Sequence, residues 1–224
     1  MEISKVEIYT GDLKKLKAFY LETLGFSVIE QDRERFSVRA GTSELMFIQK
    51  SGNPFYHFAF NIPARYFHPA KEWIRSKVEL NKENGEDEVY FRAFDADSFY
   101  FEDPCGNIIE FIGRSGNKSE TVNSFSADQL LNISEINLTT HQVLKAAEEL
   151  KKEGILGEEK TIHPQELNFV GEGEAFILLG PPERTWYFST HQAEIHPVAI
   201  EVNQMKRVEL DSSGDILIKN INGY

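Results

Sequence analysis

The chain has 224 residues, with 24 Lys and Arg against 36 Asp and Glu, and a formal net charge of −12. That balance argues against a nucleic-acid or anionic-membrane surface, whose affinity rests on clustered Lys and Arg. A single cysteine, Cys105, excludes an intrachain disulfide and any multi-cysteine metal site. Met1-Glu2-Ile3-Ser4-Lys5 forms no apolar signal core and no apolar run reaches membrane-spanning length, so a cytoplasmic location is expected.

Residues 3–10 alternate, with Ile3, Val6 and Ile8 set against Lys5, Glu7 and Tyr9, the pattern of a half-buried strand. Asp12 is placed to cap a helix whose apolar positions are Leu13, Leu16, Phe19, Tyr20 and Leu24, and Gly25 ends it. Residues 26–31 and 36–40 read as a hairpin, and 45–49 as a further strand, giving a βαβββ unit. After Ser51-Gly52-Asn53-Pro54 the pattern restarts. Residues 56–62 form a strand with Phe58, Phe60 and Ile62 on one face and His57, Ala59 and Asn61 on the other. An amphipathic helix is expected over 69–80, then strands over 89–94, 98–102 and 107–112, completing a second βαβββ unit.

The last two of these strands flank a tight turn, Asp103-Pro104-Cys105-Gly106-Asn107, whose Asp-Pro and Gly-Asn supply the dihedrals that reversal needs. Phe99, Phe101, Ile109 and Phe111 share one face. Ser98, Tyr100 and Glu110 share the other. Glu110 is a carboxylate in an otherwise apolar strand, so a metal, a cation or a donor is expected beside it.

Residues 115–130 are polar and read as a linker. A third unit follows, with a strand over 133–139, a helix over 141–153, and strands near 167–170, 175–179 and 185–189. A fourth, without room for a full helix, starts at His196-Pro197-Val198. Its run Asp211-Ser212-Ser213-Gly214-Asp215-Ile216-Leu217-Ile218 echoes residues 103–110, with Ile218 where Glu110 stands. The expected organisation is a complete first half (1–114), a linker (115–130) and a degenerate second half (131–224). The expected fold class is α+β, tandem βαβββ modules forming curved mixed sheets.

Val6 to Phe26, His57-Phe58-Ala59-Phe60, and Tyr100 to Asn107 with Glu110 together resemble the vicinal oxygen chelate superfamily. This is the glyoxalase, fosfomycin-resistance, bleomycin-resistance and extradiol dioxygenase group. The resemblance implies paired units curled into a cup around a divalent metal, with ligands on the first strand of one unit and the first and last strands of another. Carried over by position, those places are Lys5, His57 and Glu110. In the second half they are Glu135, Pro197 and Ile218, and Ile218 offers no ligand atom, so no metal is expected there.

His57 and Glu110 are the candidate metal ligands, and imidazole with carboxylate suits Mn, Fe, Ni, Zn or Co. A protonated Lys5 cannot ligate, so two readings stand. In one, water or Glu7 completes a metal site, and the protein is a metal-dependent lyase, isomerase, thiol transferase or dioxygenase acting on a small molecule. In the other, Lys5 neutralises Glu110 with no metal, and the cup sequesters a small-molecule ligand as bleomycin-resistance proteins do. Glu7, Ser98, Tyr100 and Arg92 are candidate substrate-binding residues. Cys105 has no evident cation to activate it and reads as a turn residue. The expected state is monomer or homodimer.

Overall fold

The computed structural model describes residues 1–114 and 124–221. The first unit comprises β1 (Ile3–Thr10), α1 (Leu13–Lys17), β2 (Val28–Gln31), β3 (Arg35–Ala40) and β4 (Ser43–Gln49). Asp12 caps α1 as expected, its carboxylate accepting from the Lys15 amide at 3.0 Å. The helix runs on as a π-helical turn, Ala18–Thr23, and Gly25 closes it at φ +69°. The second unit comprises β5 (His57–Pro63), α2 (Phe67–Arg75), β6 (Val89–Phe91), β7 (Ala96–Glu102) and β8 (Ile108–Arg114). The third has β9 (Asn132–Thr139), α3 (Val143–Lys152), β10 (Asn168–Val170) and β11 (Phe176–Gly180). The fourth is a meander of β12 (Val198–Val202), β13 (Lys206–Leu210) and β14 (Ile216–Asn220).

These strands form two curved mixed sheets of seven, in the orders β14-β13-β12-β1-β4-β3-β2 and β10-β11-β9-β5-β8-β7-β6. In each sheet two units meet through their first strands, antiparallel: β1 with β12, and β5 with β9. The first sheet therefore joins the two ends of the chain, and the second joins its two middle units. The apolar faces of both sheets and the helices share one core. It runs from Ile3, Val6 and Ile8 through Leu16 and Tyr20 to Phe58, Phe60, Phe111, Ile133 and Ile136. The Phe26 and Phe60 rings, 5.8 Å apart, meet across it. The other face of each sheet turns away from this core and forms a cup.

Three expected elements differ. The strand expected over 89–94 ends at Phe91, and a turn follows it. Helix α2 ends at Arg75 rather than near residue 80, and Leu80 bridges to Phe101 at the sheet instead. Residues 185–189 are not a strand. They belong to a flap over 183–193, held by a Thr185–Gln192 bridge and by Trp186 N–H donating to the His191 carbonyl. Phe188 at φ +54° breaks the extended run there. Of the expected linker, 115–123 lie outside the described residues, and Ala127–Gln129 form a 3-10 turn. Among the described residues no helix is long and apolar enough to cross a membrane.

Candidate metal centre

On the cup face of the second sheet, Ala59 sits at the middle of a row of three neighbouring strands. Glu110 of β8 lies beside it on one side and Glu135 of β9 on the other. His57 is two residues back along β5, on the same face. The methyl side chain of Ala59 carries no polar group between the carboxylates, and the imidazole lies beside them. One ligand atom from each of His57, Glu110 and Glu135 lies within 4.8 Å of the other two. His57 Nε2 is 3.5 Å from Glu110 Oε2 and 3.9 Å from Glu135 Oε2. All three side chains are buried, at 3–6% exposure.

His57 Nδ1 lies 3.2 Å from the Ile108 carbonyl oxygen. A carbonyl can only accept, so Nδ1 carries the hydrogen and Nε2 presents its lone pair to the carboxylates. A second contact steadies this strand: Asn137 accepts from the His57 backbone N–H at 3.1 Å. Burial pushes the His57 pKa down to about 4, with the nearby Arg184 guanidinium adding to the effect, so the ring is neutral. Burial also pushes Glu110 up to about 7. Glu135 is driven well above the usual carboxylate range by burial and then by the charge of Glu110. Arg114 opposes that shift from 3.8 Å, its Nη2 also donating to Ser134 Oγ and its Nε to Asn61 Oδ1. Three acceptor groups thus face one centre in a low-dielectric site. Only a proton or a cation resolves that arrangement.

Residues 2–111 match the family model described as the Glyoxalase/Bleomycin resistance protein/Dioxygenase superfamily. Over that stretch the chain belongs to this superfamily. Residues 133–184, which include Glu135, match the model described as Toxoflavin-degrading enzyme. An integron cassette protein from the mobile metagenome of the Halifax Harbour sewage outfall is 26% identical. The likeness covers 50% of this chain and 97% of that one, with a TM-score of 0.44. A putative glyoxalase family protein from Bacillus anthracis is 24% identical over 51% of this chain and 96% of its own, with a TM-score of 0.42. For lactoylglutathione lyase from Agrobacterium tumefaciens the figures are 19%, 50%, 92% and 0.40. No curated protein matches the chain.

Of the residues singled out in the sequence, the glyoxalase-type cup brings together His57, Glu110, Ser98 and Tyr100. The Tyr100 hydroxyl acts on Glu110, and its own pKa is raised well above the ordinary value by burial and then by that carboxylate. Ser98 Oγ is fully buried and makes no close hydrogen bond. Lys5 and Glu7 are elsewhere, in the cup of the first sheet. Lys5 Nζ pairs there with Glu44 at 3.2 Å and Glu7 at 3.7 Å. Arg92 is exposed in the turn between β6 and β7. Cys105 lies in its turn, with its thiol pKa raised by burial.

Glu135 is the residue that sequence reasoning set apart from His57 and Glu110. The first strand bordering β5 is β9, not β1, so Glu135 stands where Lys5 was expected. One signal was present in the sequence. The apolar positions Ile133, Ile136 and Leu138 break period two between 133 and 136. The structure has an irregularity there, in the register Phe60–Ile133 and Ala59–Glu135.

An aromatic wall surrounds the centre. Trp186 of the flap packs 4.9 Å from the His57 ring, and Phe188 stacks on Tyr100 at 4.9 Å with 13° between planes. The flap is tied down by Asn81 donating to the Phe188 carbonyl at 2.8 Å and by Ser189 donating to Glu102 at 3.3 Å.

Proposed function

We propose that the protein is a divalent-metal-dependent enzyme that acts on a small molecule in the cup of the second sheet. His57, Glu110 and Glu135 are the ligands in this reading. The observation that carries it is the convergence of a neutral imidazole and two carboxylates within 4.8 Å, where among the described Lys and Arg side chains only Arg114 lies within ion-pair distance, and of Glu135 alone. The donor set fits a first-row divalent ion such as Mn, Fe, Co, Ni or Zn. When bound, such an ion supplies Lewis-acid polarisation of a substrate oxygen. The protein groups divide the remaining work. The Ile108 carbonyl fixes the His57 tautomer, as an outer-shell partner does for a ligating histidine. Tyr100 keeps its proton and donates beside Glu110. Trp186 and Phe188 exclude water from above.

The match of residues 133–184 to a degrading enzyme supports catalysis over sequestration and makes toxoflavin the first compound to assay. The test is to incubate the protein with Mn(II), Fe(II), Ni(II) or Zn(II), dialyse, and measure bound metal, then follow toxoflavin disappearance. The expected result is about one ion per chain and metal-dependent turnover, both lost in His57→Ala. Sub-stoichiometric binding of all four metals would refute the assignment.

A further inference from the structure

Arg184 sits on the flap with its guanidinium carbon 4.1 Å from the centroid of the Trp186 ring, and that ring lies 4.9 Å from His57. A guanidinium has five N–H donors. Here Nη1 donates to the Thr185 carbonyl at 3.3 Å, while Nε is buried and makes no hydrogen bond. No carboxylate among the described residues lies within ion-pair distance of it. The other arginines near a cup are engaged: Arg114 with Asn61, Ser134 and Glu135, and Arg207 with three glutamates. Holding a cation half-buried with its Nε–H unpaired costs free energy that an anionic partner would recover. The centre's charges point the same way. A divalent cation and the Arg114 guanidinium would together more than balance the two carboxylates, so the centre offers Arg184 no counter-charge.

We propose that Arg184 is the anion receptor of this site, so that its favoured ligand is a small planar molecule bearing an oxyanion that the flap guanidinium pairs with, a neutral compound such as toxoflavin binding more weakly. The inference rests on the second-sheet cup being the substrate site, as proposed above. Trp186 holds the guanidinium by its ring face, and Trp186, Tyr100 and Phe188 supply the apolar contact for the body of the ligand. Arg184 thereby selects charge, while the ligand triad selects the atoms presented to the metal.

The test uses two near-isosteric probes, salicylate (an anion) and salicylamide (neutral), titrated calorimetrically into Mn(II)-treated full-length protein. Wild type should prefer salicylate by about tenfold or more, the value of one charge-assisted contact. Arg184→Gln should bind both alike, with salicylamide affinity unchanged, and Arg184→Lys should keep part of the preference. Equal binding of the probes by wild type, binding of neither, or a preference retained by Arg184→Gln would overturn the proposal. Metal content of the same samples is read separately. Wild type without metal but with an Arg184-dependent preference would refute the metal reading and uphold the receptor, whereas wild type with metal and no preference would do the reverse.

Discussion

The two cups of this molecule share a frame and differ in charge chemistry. At the centre of the second, Ala59 lies between Glu110 and Glu135. The matching position in the first is Glu7, which lies between Met46 and Ala199. His57 corresponds to Lys5. The ligand places of the second cup are thus occupied in the first by Lys5, Met46 and Ala199, which offer neither an imidazole nitrogen nor a carboxylate oxygen. The polar groups of the first cup instead neutralise one another. Arg207 pairs with Glu7 at 2.6 Å, Glu201 at 3.2 Å and Glu209 at 2.8 Å, and Lys5 pairs with Glu44. The consequence appears in acidity. Burial raises the carboxylates in both cups, but Arg207 and then Lys5 overcome it and hold Glu7 below its ordinary value, whereas Glu110 rises to about 7. A curved sheet alone therefore does not bring ligand groups together; the second cup does so by setting two buried carboxylates on either side of an alanine.

The largest expected effect separates the cups by metal content. Glu135→Gln, which leaves the shape nearly unchanged, should lower bound Mn(II) or Zn(II) from about one per chain to background. Glu7→Gln in the first cup should leave it unchanged. Equal loss in both variants would erase the distinction.

The next is a pH dependence. Glu110 has a folded pKa of about 7 against an ordinary 4.5, so its contribution to metal-free stability is fully present below 4.5 and is lost as pH rises through 7. Glu135 shifts in the same direction. His57, at about 4 against 6.5, runs oppositely, contributing above 6.5 and losing that contribution as pH falls toward 4. A metal ion replaces the carboxylate protons. The rise in melting temperature on adding Zn(II) should therefore be larger at about pH 8 than at about pH 5.5. A gain that is flat across this range would contradict the acidities assigned to the pair.

Much of this was legible in the sequence because it is local. The turn at Asp103 and its echo at Asp211 use the same chemistry. Asp103 accepts from the Cys105 and Asn107 amides, and Asp211 from the Ser213 and Asp215 amides. Strand alternation placed His57, Glu110, Ser98 and Tyr100 on one face, and their carriers β5, β7 and β8 are close in the chain. What alternation does not encode is which first strands meet at the seam of a sheet. The β5–β9 and β1–β12 pairings are long-range and are decided by packing of the whole molecule. That is why Glu135 was read apart from the site and Lys5 into it. The flap was missed for a related reason: Trp186 and Phe188 alternate like a strand, but their partners are cup side chains rather than a sheet edge.

A smaller effect tests the cover that the second cup has and its role in closing the site. Trp186→Ala removes about 3 kcal/mol of packing from the flap. Limited proteolysis should then cut within 183–193 roughly a hundredfold faster, while metal content stays near wild type. Unchanged cleavage would mean that Trp186 does not hold the flap.

The smallest is in the first cup. Glu7→Gln should cost about 1 kcal/mol in denaturant unfolding near neutral pH, the scale of a partly exposed ion pair. Because the Glu7 pKa is lowered on folding, the cost should vanish as pH falls through that lowered value. A cost that persists in acid would mean that Glu7 acts by packing rather than by charge.

The central claim, that one cup holds a divalent ion and the other does not, is tested most directly by anomalous diffraction from crystals grown with Mn(II). The account predicts a single strong peak per chain, bonded to His57 Nε2 and to the carboxylates of Glu110 and Glu135. A peak among Glu7, Glu44 and Glu201, or no peak in either cup, would contradict it.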